Sequence, residues 1–243
     1  MIKLEHTVLP SSDQMEFIIE GMRNPMNSWE KSDSVECYAN GKCQGICNEN
    51  KIGLCVGDND RSLMQKLSYA GTDHRKFMRM MPVYVRITAP LYWWKEADTY
   101  KIGTVANSCS TMHKIQENEF TLDDFSHEHL VKTNLLDIII DDLNSNRTIY
   151  NDYDNQSDEF KAKFSKKDVW WQMIQLLPSS YNQTRNVMMN YEVLANIYNS
   201  RKEHKLDEWR EFCKWIEELP LSGLITHNMW KVSESDNRKE DDE

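Results

Sequence analysis

Apolar residues recur every three or four positions along most of the chain, the spacing that places them on one face of an α-helix. In 185–201, for example, Val187, Tyr191, Leu194 and Tyr198 form one such stripe. The same pattern predicts a chain rich in helix. The predicted helices lie at 15–22, 60–70, 130–143, 167–178, 185–201 and 206–219.

A second pattern, the alternation of apolar and polar residues, predicts a strand at 77–89. Val83, Val85 and Ile87 would share one face of this strand. Pro90 interrupts it, and proline is favoured at the first position of a helix. The aromatic stretch that follows, "LYWWKEADTYKIGT", is therefore predicted to be a helix.

Polar stretches at 104–111 and 144–158 are expected to be loops, because they lack either periodicity. No internal repeat and no linker divides the chain. We predict one α+β domain over residues 1–232, rich in helix and with a small antiparallel sheet. Residues 233–243, "SESDNRKEDDE", are predicted to be a disordered charged tail.

The net charge of -10 argues against a broad nucleic-acid surface, because such surfaces are strongly basic. A small anionic ligand remains compatible with this charge, since a few converging Arg or Lys side chains suffice. No apolar run approaches the roughly 20 residues of a membrane span, and the N-terminus lacks the apolar region of a signal peptide. We therefore expect a cytoplasmic protein with no nucleic-acid or membrane partner.

Four of the six cysteines lie close together, at Cys37, Cys43, Cys47 and Cys55. The segment at about 37–56 is predicted to be a hairpin or an insertion. Four thiolates suit a tetrahedral zinc ion, but five, three and seven intervening residues are not the paired two-residue spacing that makes this signal strong. We assign no metal, and free thiols and a zinc site both stay open.

The order of several short motifs resembles one enzyme family. Gly71 and His74 precede a strand that ends in "ITAP", and an aromatic helix and a Ser/Thr/Asn-rich stretch follow. Further along come "LPSSY", Asn190, Arg201 and "EW". This colinear series, over roughly 58–220, resembles the flavin-dependent thymidylate synthases, the ThyX family.

The resemblance implies both a fold and a chemistry. The fold would be a ThyX-like domain that assembles as a homotetramer, with active sites between subunits. The reaction would transfer a one-carbon unit to C5 of a uracil deoxynucleotide, as in the conversion of dUMP to dTMP. FAD would be the cofactor, and methylenetetrahydrofolate and NADPH the co-substrates. The resemblance thus predicts a bacterial or phage flavoprotein of nucleotide biosynthesis.

The resemblance also assigns residues to the site. At positions that bind the cofactor lie His74, Tyr100, Ile102, Asn190 and Asn196. At positions that bind the substrate lie Glu96, Lys101, Cys109, Ser110 and Arg201. Lys101, Ser110 and Arg201 would be catalytic. Asn190 and Arg201 are eleven residues apart, about three turns, so a helix over 185–201 would place them on one face.

The chain departs from the family where arginines are expected. The Arg-His-Arg triplet is replaced by Thr99, Tyr100 and Lys101, and an Arg of the downstream helix by Glu192. Arginine binds phosphate through a bidentate fork, whereas lysine acts as a point charge. The phosphate pocket would therefore be rebuilt or lost. The alternatives are a catalytically altered ThyX-fold protein that binds nucleotide or flavin or is a structural homo-oligomer, and a helical scaffold without a small-molecule site.

Overall fold

The computed structural model describes residues 1–37 and 53–227. It confirms the helix-rich α+β class with a small antiparallel sheet. The predictions for Cys43, Cys47 and the charged tail lie outside the described residues. The boundaries of the domain, at 1–232, stay a prediction.

The described helices and strands alternate irregularly along the chain. The helices are α1 Ser12–Arg23, α2 Asp58–Tyr69, α3 Lys76–Arg79, α4 Leu91–Ala97, α5 Thr111–Lys114, α6 Asn134–Asn151, α7 Asp158–Lys163, α8 Lys166–Leu176, α9 Tyr191–Arg201, α10 Asp207–Glu217 and α11 Gly223–Thr226. The strands are β1 Lys3–Val8, β2 Val35–Glu36, β3 Leu54–Cys55, β4 Pro82–Pro90, β5 Val105–Ser108 and β6 Asn182–Asn190.

The chain divides into two compact units, and each is described by itself. The first unit consists of Met1–Thr7, Tyr84–Met188 and Leu206–Glu211. The second unit consists of Val8–Val83, Met189–Lys205 and Phe212–Glu243.

The first unit is built on a four-stranded sheet with the strand order β1-β4-β6-β5. On β4 the alternation predicted from the sequence is confirmed, because Val83, Val85 and Ile87 are buried while Tyr84 and Arg86 between them are exposed. At the other edge β5 pairs with β6 in antiparallel register, Val105 opposite Met188 and Ser108 opposite Arg185. This pairing brings the end of β5 next to the start of β6.

Two apolar clusters fill the first unit. In one, the ring of Trp93 lies 4.8 Å from that of Trp94 and 4.7 Å from that of Trp209 on α10. The other cluster lies where α6 packs against α8. Its buried members are Ile115, Phe120, Phe125, Leu136, Ile140, Leu143 and Met173.

The second unit is mainly helical, with α9 packed against α3 and α11, α1 against α3, and α2 against α11. On α9 the predicted apolar stripe is confirmed, because Leu194, Ala195 and Tyr198 are buried. A short hairpin also belongs to this unit, in which Val35 of β2 lies opposite Cys55 of β3. The structure thus shows a hairpin stem at the two ends of the cysteine-rich segment.

The strand predicted from residue 77 begins later. Residues Lys76–Arg79 form the short helix α3, and β4 starts at Pro82. Phe77 and Met78 are adjacent and both buried. Neighbouring side chains of a strand point to opposite faces, so a strand that is buried on one face would expose one of these two residues. The helical turn α3 instead buries both of them between other helices.

The helix predicted over 185–201 is wrong in its first part, because residues 182–190 form β6. Val187 and Met189 are buried, whereas Asn186 is exposed and Met188 is only half-buried, which is the period of a strand. The apparent helical stripe joined Val187 to the first residues of α9, although they belong to different elements.

The predictions on either side of residue 104 are also corrected. Helix α4 ends at Ala97, and the backbone then turns through Gly103, whose φ is +79°. The stretch predicted as a loop contains β5, because its backbone pairs with β6. The local pattern of apolar and polar residues does not indicate that a segment pairs with a distant strand.

Helix α6 extends to Asn151, so the loop predicted at 144–158 begins later than expected. Asn144 does not end the helix. Its side chain instead forms two hydrogen bonds of 2.8 Å with the backbone N–H and C=O of Phe120. A polar residue within the helix therefore holds a neighbouring loop.

A buried carboxylate organises the polar part of the second unit. Asp60 is fully buried and accepts hydrogen bonds from Arg23 Nε at 2.6 Å, from Ser32 Oγ at 2.8 Å and from the backbone N–H and side-chain hydroxyl of Ser34. Burial alone would raise the pKa of this carboxyl, but the hydrogen bonds from Ser34, Ser32 and Arg23 lower the pKa below its ordinary value.

We expect Asp60→Asn to lower the free energy of unfolding by about 3 kcal/mol or more, because it leaves the buried Arg23 guanidinium without its counter-ion. Urea denaturation measures this loss, and Asp58→Asn, exposed on the same helix, should change it by at most about 1 kcal/mol. Because the pKa of Asp60 is depressed by folding, its contribution is present above the unfolded pKa and is lost as pH falls through the folded pKa. Equal losses in the two variants would contradict this role.

Candidate functional site

Four of the predicted site residues lie at the end of α4 and in the turn after it, within the first unit. Glu96 belongs to the last turn of the helix, whereas Tyr100, Lys101 and Ile102 follow it. Ile102 is 94% exposed, and the exposed ammonium of Lys101 makes no hydrogen bond or ion pair within the described residues. Tyr100 and Lys101 therefore lie after the helix, whereas the sequence predicted that they lie within it.

Glu96 is tied to the aromatic cluster. Its carboxylate accepts a hydrogen bond of 2.8 Å from the indole Nε1 of Trp209, a side chain that is fully buried. The ring of Tyr100 lies 6.0 Å from the same indole. Both of these predicted site residues therefore lie beside Trp209.

Cys109 and Ser110 directly follow β5, an edge strand of the four-stranded sheet. The backbone N–H of Cys109 donates to the carbonyl of Thr184 at 2.9 Å, and its own carbonyl accepts from Gln183 Nε2 at 2.9 Å. The hydroxyl of Ser110 caps α5 by accepting from the backbone N–H of His113 at 3.1 Å. The backbone here is fixed by β6, while both side chains remain exposed.

Sequence reasoning missed Arg185, which lies opposite Ser108 in the β5–β6 pair. Its guanidinium stacks 4.1 Å from the ring centroid of Trp94, donates from Nη1 to Asp98 at 2.7 Å and from Nε to Gln183 at 2.9 Å. Its Nη2 has no hydrogen-bond partner within the described residues. Only a correct prediction of strand 182–190 would have pointed to it.

The remaining predicted site residues lie in the second unit. Asn190 is the N-cap of α9 and accepts from the backbone N–H of Val193 at 3.0 Å. Asn190 therefore lies directly before the helix and not within it, and its sharing of one face with Arg201 stays a prediction. Asn196 lies exposed on α9, and Arg201 is its last residue.

Near Asn196 the second unit holds a cluster of charged groups that the sequence did not indicate. Arg75 donates to Glu192 Oε1 at 3.1 Å and to Asn196 Oδ1 at 3.4 Å, and Arg79 donates to both carboxylate oxygens of Glu192. Burial raises the pKa of the Glu192 carboxyl, but Arg79 and Arg75 outweigh this and hold the pKa below its ordinary value. His74, beside Arg75 in sequence, is exposed.

No group of three or more His, Cys, Asp or Glu side chains suited to a metal ion occurs among residues 1–37 and 53–227. Cys37 and Cys55 lie on the hairpin stem, where the backbone N–H of Cys37 donates to the carbonyl of Gly53 at 2.9 Å. The choice between free thiols and a zinc site therefore depends on residues outside the described part. Within the described part, the structure also contains no helix long and apolar enough to cross a membrane.

Comparison with protein-family models gives no match, and neither does comparison with curated proteins. Solved structures do match. A crystal structure of thymidylate synthase X (ThyX) from Helicobacter pylori with FAD and dUMP covers 93% of this chain and 96% of its own, at 12% identity and a TM-score of 0.58. A second structure of the Helicobacter pylori enzyme, also complexed with FAD and dUMP, covers 93% and 97%, at 14% identity and a TM-score of 0.54. This chain therefore has a ThyX-like fold.

We expect Glu96→Ala to lower the free energy of unfolding by about 1–3 kcal/mol in the protein without ligand, because the buried indole N–H of Trp209 loses an acceptor. Chemical denaturation measures the change. Lys95→Ala, an exposed neighbour on α4, should alter stability by less than about 0.5 kcal/mol. If Glu96→Ala proves as stable as the control, the carboxylate does not support the core and is available to a ligand.

Proposed function

We propose that this protein binds FAD and a uracil deoxynucleotide and transfers a one-carbon unit to C5 of the uracil. The observation that carries the proposal is the likeness of nearly the whole chain to ThyX structures that hold FAD and dUMP. The colinear motifs in the sequence support it independently. Methylenetetrahydrofolate as carbon donor, NADPH as reductant, a homotetramer and a cytoplasmic location belong to the same proposal.

The first unit offers the nucleotide two cationic groups. Lys101 presents an ammonium without a partner in the described residues, and Arg185 presents Nη2 from a guanidinium held by Trp94 and Asp98. Both groups can donate charge-assisted hydrogen bonds to a phosphate oxygen. Arg185 in this role replaces one of the missing arginines, and the exposed Ser110 hydroxyl adds a neutral donor.

The second unit offers groups suited to a flavin. The amide of Asn196 and the imidazole of His74 are exposed and able to hydrogen-bond the polar edge of a ring system. Flavin, when bound, supplies the relay of the carbon unit and of hydride. The residues of each unit bind and orient its ligand, and the resemblance assigns Arg201, the last residue of α9, to the substrate.

A second candidate function is ligand binding without turnover. Glu96, which the resemblance assigns to the substrate, is engaged by Trp209, and Glu192 introduces a negative charge where the family has an arginine. These two observations favour a ThyX-fold protein that retains a flavin or nucleotide but lacks the transfer reaction, or that serves as a structural homo-oligomer.

The first test is the visible absorption spectrum of the purified protein after incubation with FAD and gel filtration. The proposal expects a flavin spectrum that elutes with the protein. Formation of dTMP from dUMP, methylenetetrahydrofolate and NADPH then separates the synthase from the binding protein. Absence of bound flavin at FAD concentrations well above micromolar would rule out the synthase.

We expect Lys101→Ala to weaken dUMP binding about tenfold, because one charge-assisted contact is lost. Titration calorimetry on the flavin-loaded protein measures this affinity. Lys132→Ala, which removes an exposed lysine from the same unit, serves as the matched control and should bind dUMP as the unchanged protein does. Equal affinities for both variants would show that Lys101 does not contact the nucleotide.

A further inference from the structure

The second unit contains two contrasting arrangements of arginine and carboxylate. In the first, Arg23 forms an ion pair with Asp60, one cation with one anion, and the Arg23 side chain is only 4% exposed. Its three guanidinium nitrogens all donate: Nε to Asp60, Nη1 to the Ser28 carbonyl at 3.2 Å and Nη2 to the Lys31 carbonyl at 3.0 Å. Such a fully satisfied, neutral pair is a structural element.

The second arrangement is not balanced. Two guanidinium groups, from Arg75 and Arg79, share the single carboxylate of Glu192. Arg75 uses Nε and Nη2, and Arg79 uses Nε and Nη2, the latter also donating to the Thr72 carbonyl at 3.0 Å. Nη1 of each arginine has no partner within the described residues.

The accessibility of these groups also differs from that of the structural pair. The Arg79 side chain is 46% exposed, and those of Arg75 and Glu192 are each 12% exposed. Lys76 and His74, in the same short segment, are exposed as well. The segment also contains the exposed Asp73, whose carboxylate acts electrostatically on Arg79. The positive charges of Arg75, Arg79 and Lys76 exceed the negative charges of Glu192 and Asp73 by one. In a chain with a net charge of -10, this places one excess positive charge and two uncommitted N–H₂ groups within reach of solvent.

We propose that Arg75 and Arg79, held by Glu192, form an oxyanion site that binds the diphosphate of a dinucleotide cofactor. The identity of that cofactor as the flavin rests on the proposed function, since Asn196, which accepts from Arg75, is one of the residues assigned to it. Arginine is suited to this role because its planar fork binds phosphate oxygens in pairs. The arginine that the helix lacks at position 192 is thereby replaced by two from the segment 72–79.

Glu192 is the positioning residue of this site. Its two oxygens hold both Nε atoms, which fixes the guanidinium planes so that the remaining donors do not need to be ordered when a ligand arrives. It also compensates one of the two charges. Replacing it with glutamine keeps an acceptor for one guanidinium and raises the net charge of the site by one.

The test uses inorganic pyrophosphate as the probe. Pyrophosphate is titrated into the whole chain at constant ionic strength, and calorimetry measures its affinity. We expect the unchanged protein to bind pyrophosphate and Arg79→Gln to bind it at least tenfold more weakly. Arg210→Gln removes the same charge from an arginine of nearly equal exposure, 44%, which pairs with Asp207. This matched control should bind pyrophosphate as the unchanged protein does.

Glu192→Gln is a second variant, which should change the affinity for pyrophosphate in the opposite direction. The proposal expects tighter pyrophosphate binding than in the unchanged protein, whereas a purely structural cluster loses stability without any gain in affinity for the anion. Circular dichroism shows that each variant is folded before it is titrated. No pyrophosphate binding by the unchanged protein at millimolar concentration, or equal binding by Arg79→Gln, would overturn the oxyanion site.

This experiment is separable from the test of the proposed function, because pyrophosphate contains neither a flavin nor a pyrimidine. Arg79-dependent pyrophosphate binding without any retention of FAD would support the oxyanion site and reject the flavin assignment. If both ligands bind, FAD should displace pyrophosphate, while riboflavin, which has no phosphate, should not.

Discussion

The packing of Trp93 between Trp94 and Trp209 is the contact on which the candidate site of the first unit depends. Large aromatic side chains bury more apolar area than any others, and these three hold the short helix α4 in place. Glu96 satisfies the indole N–H of Trp209, and Trp94 carries the guanidinium of Arg185. The turn that bears Lys101 begins where this packing ends.

Charge is distributed differently in the two units. In the first unit an arginine is stacked on an aromatic ring and paired with the half-exposed Asp98, so that part of its guanidinium faces outward. In the second unit a carboxylate collects two arginines. Both arrangements keep cations ordered near the surface of an acidic chain, and ordered cations bind anions at a lower entropic cost than mobile lysines. Both units therefore hold arginine side chains near their surface, although the chain has Thr99, Tyr100 and Lys101 where the resemblance expects an Arg-His-Arg triplet.

The ThyX-like fold is shared with solved structures at 12–14% identity. At such identity the pattern of buried positions is retained more readily than the chemistry, because many apolar residues fill a core equally well, whereas a phosphate or a uracil ring requires particular groups at particular distances. Thr99, Tyr100 and Lys101, at the place where the resemblance expects Arg-His-Arg, concern chemistry rather than packing. Function in this chain must accordingly be tested through the groups that it does possess.

The helix-rich α+β class, the buried face of β4 and the apolar face of α9 follow from the sequence alone, because burial of a periodic stripe depends mainly on local spacing. The sequence also indicated the series of motifs that led to the ThyX fold. The structure was needed to show that 182–190 is a strand, that β5 exists, and that Arg185, Arg75 and Arg79 hold positions near predicted site residues. The reason is physical: strand pairing and ion pairs join residues that are many positions apart, for example 117 between Arg75 and Glu192, and no local pattern records which distant partner a backbone or a charge will find.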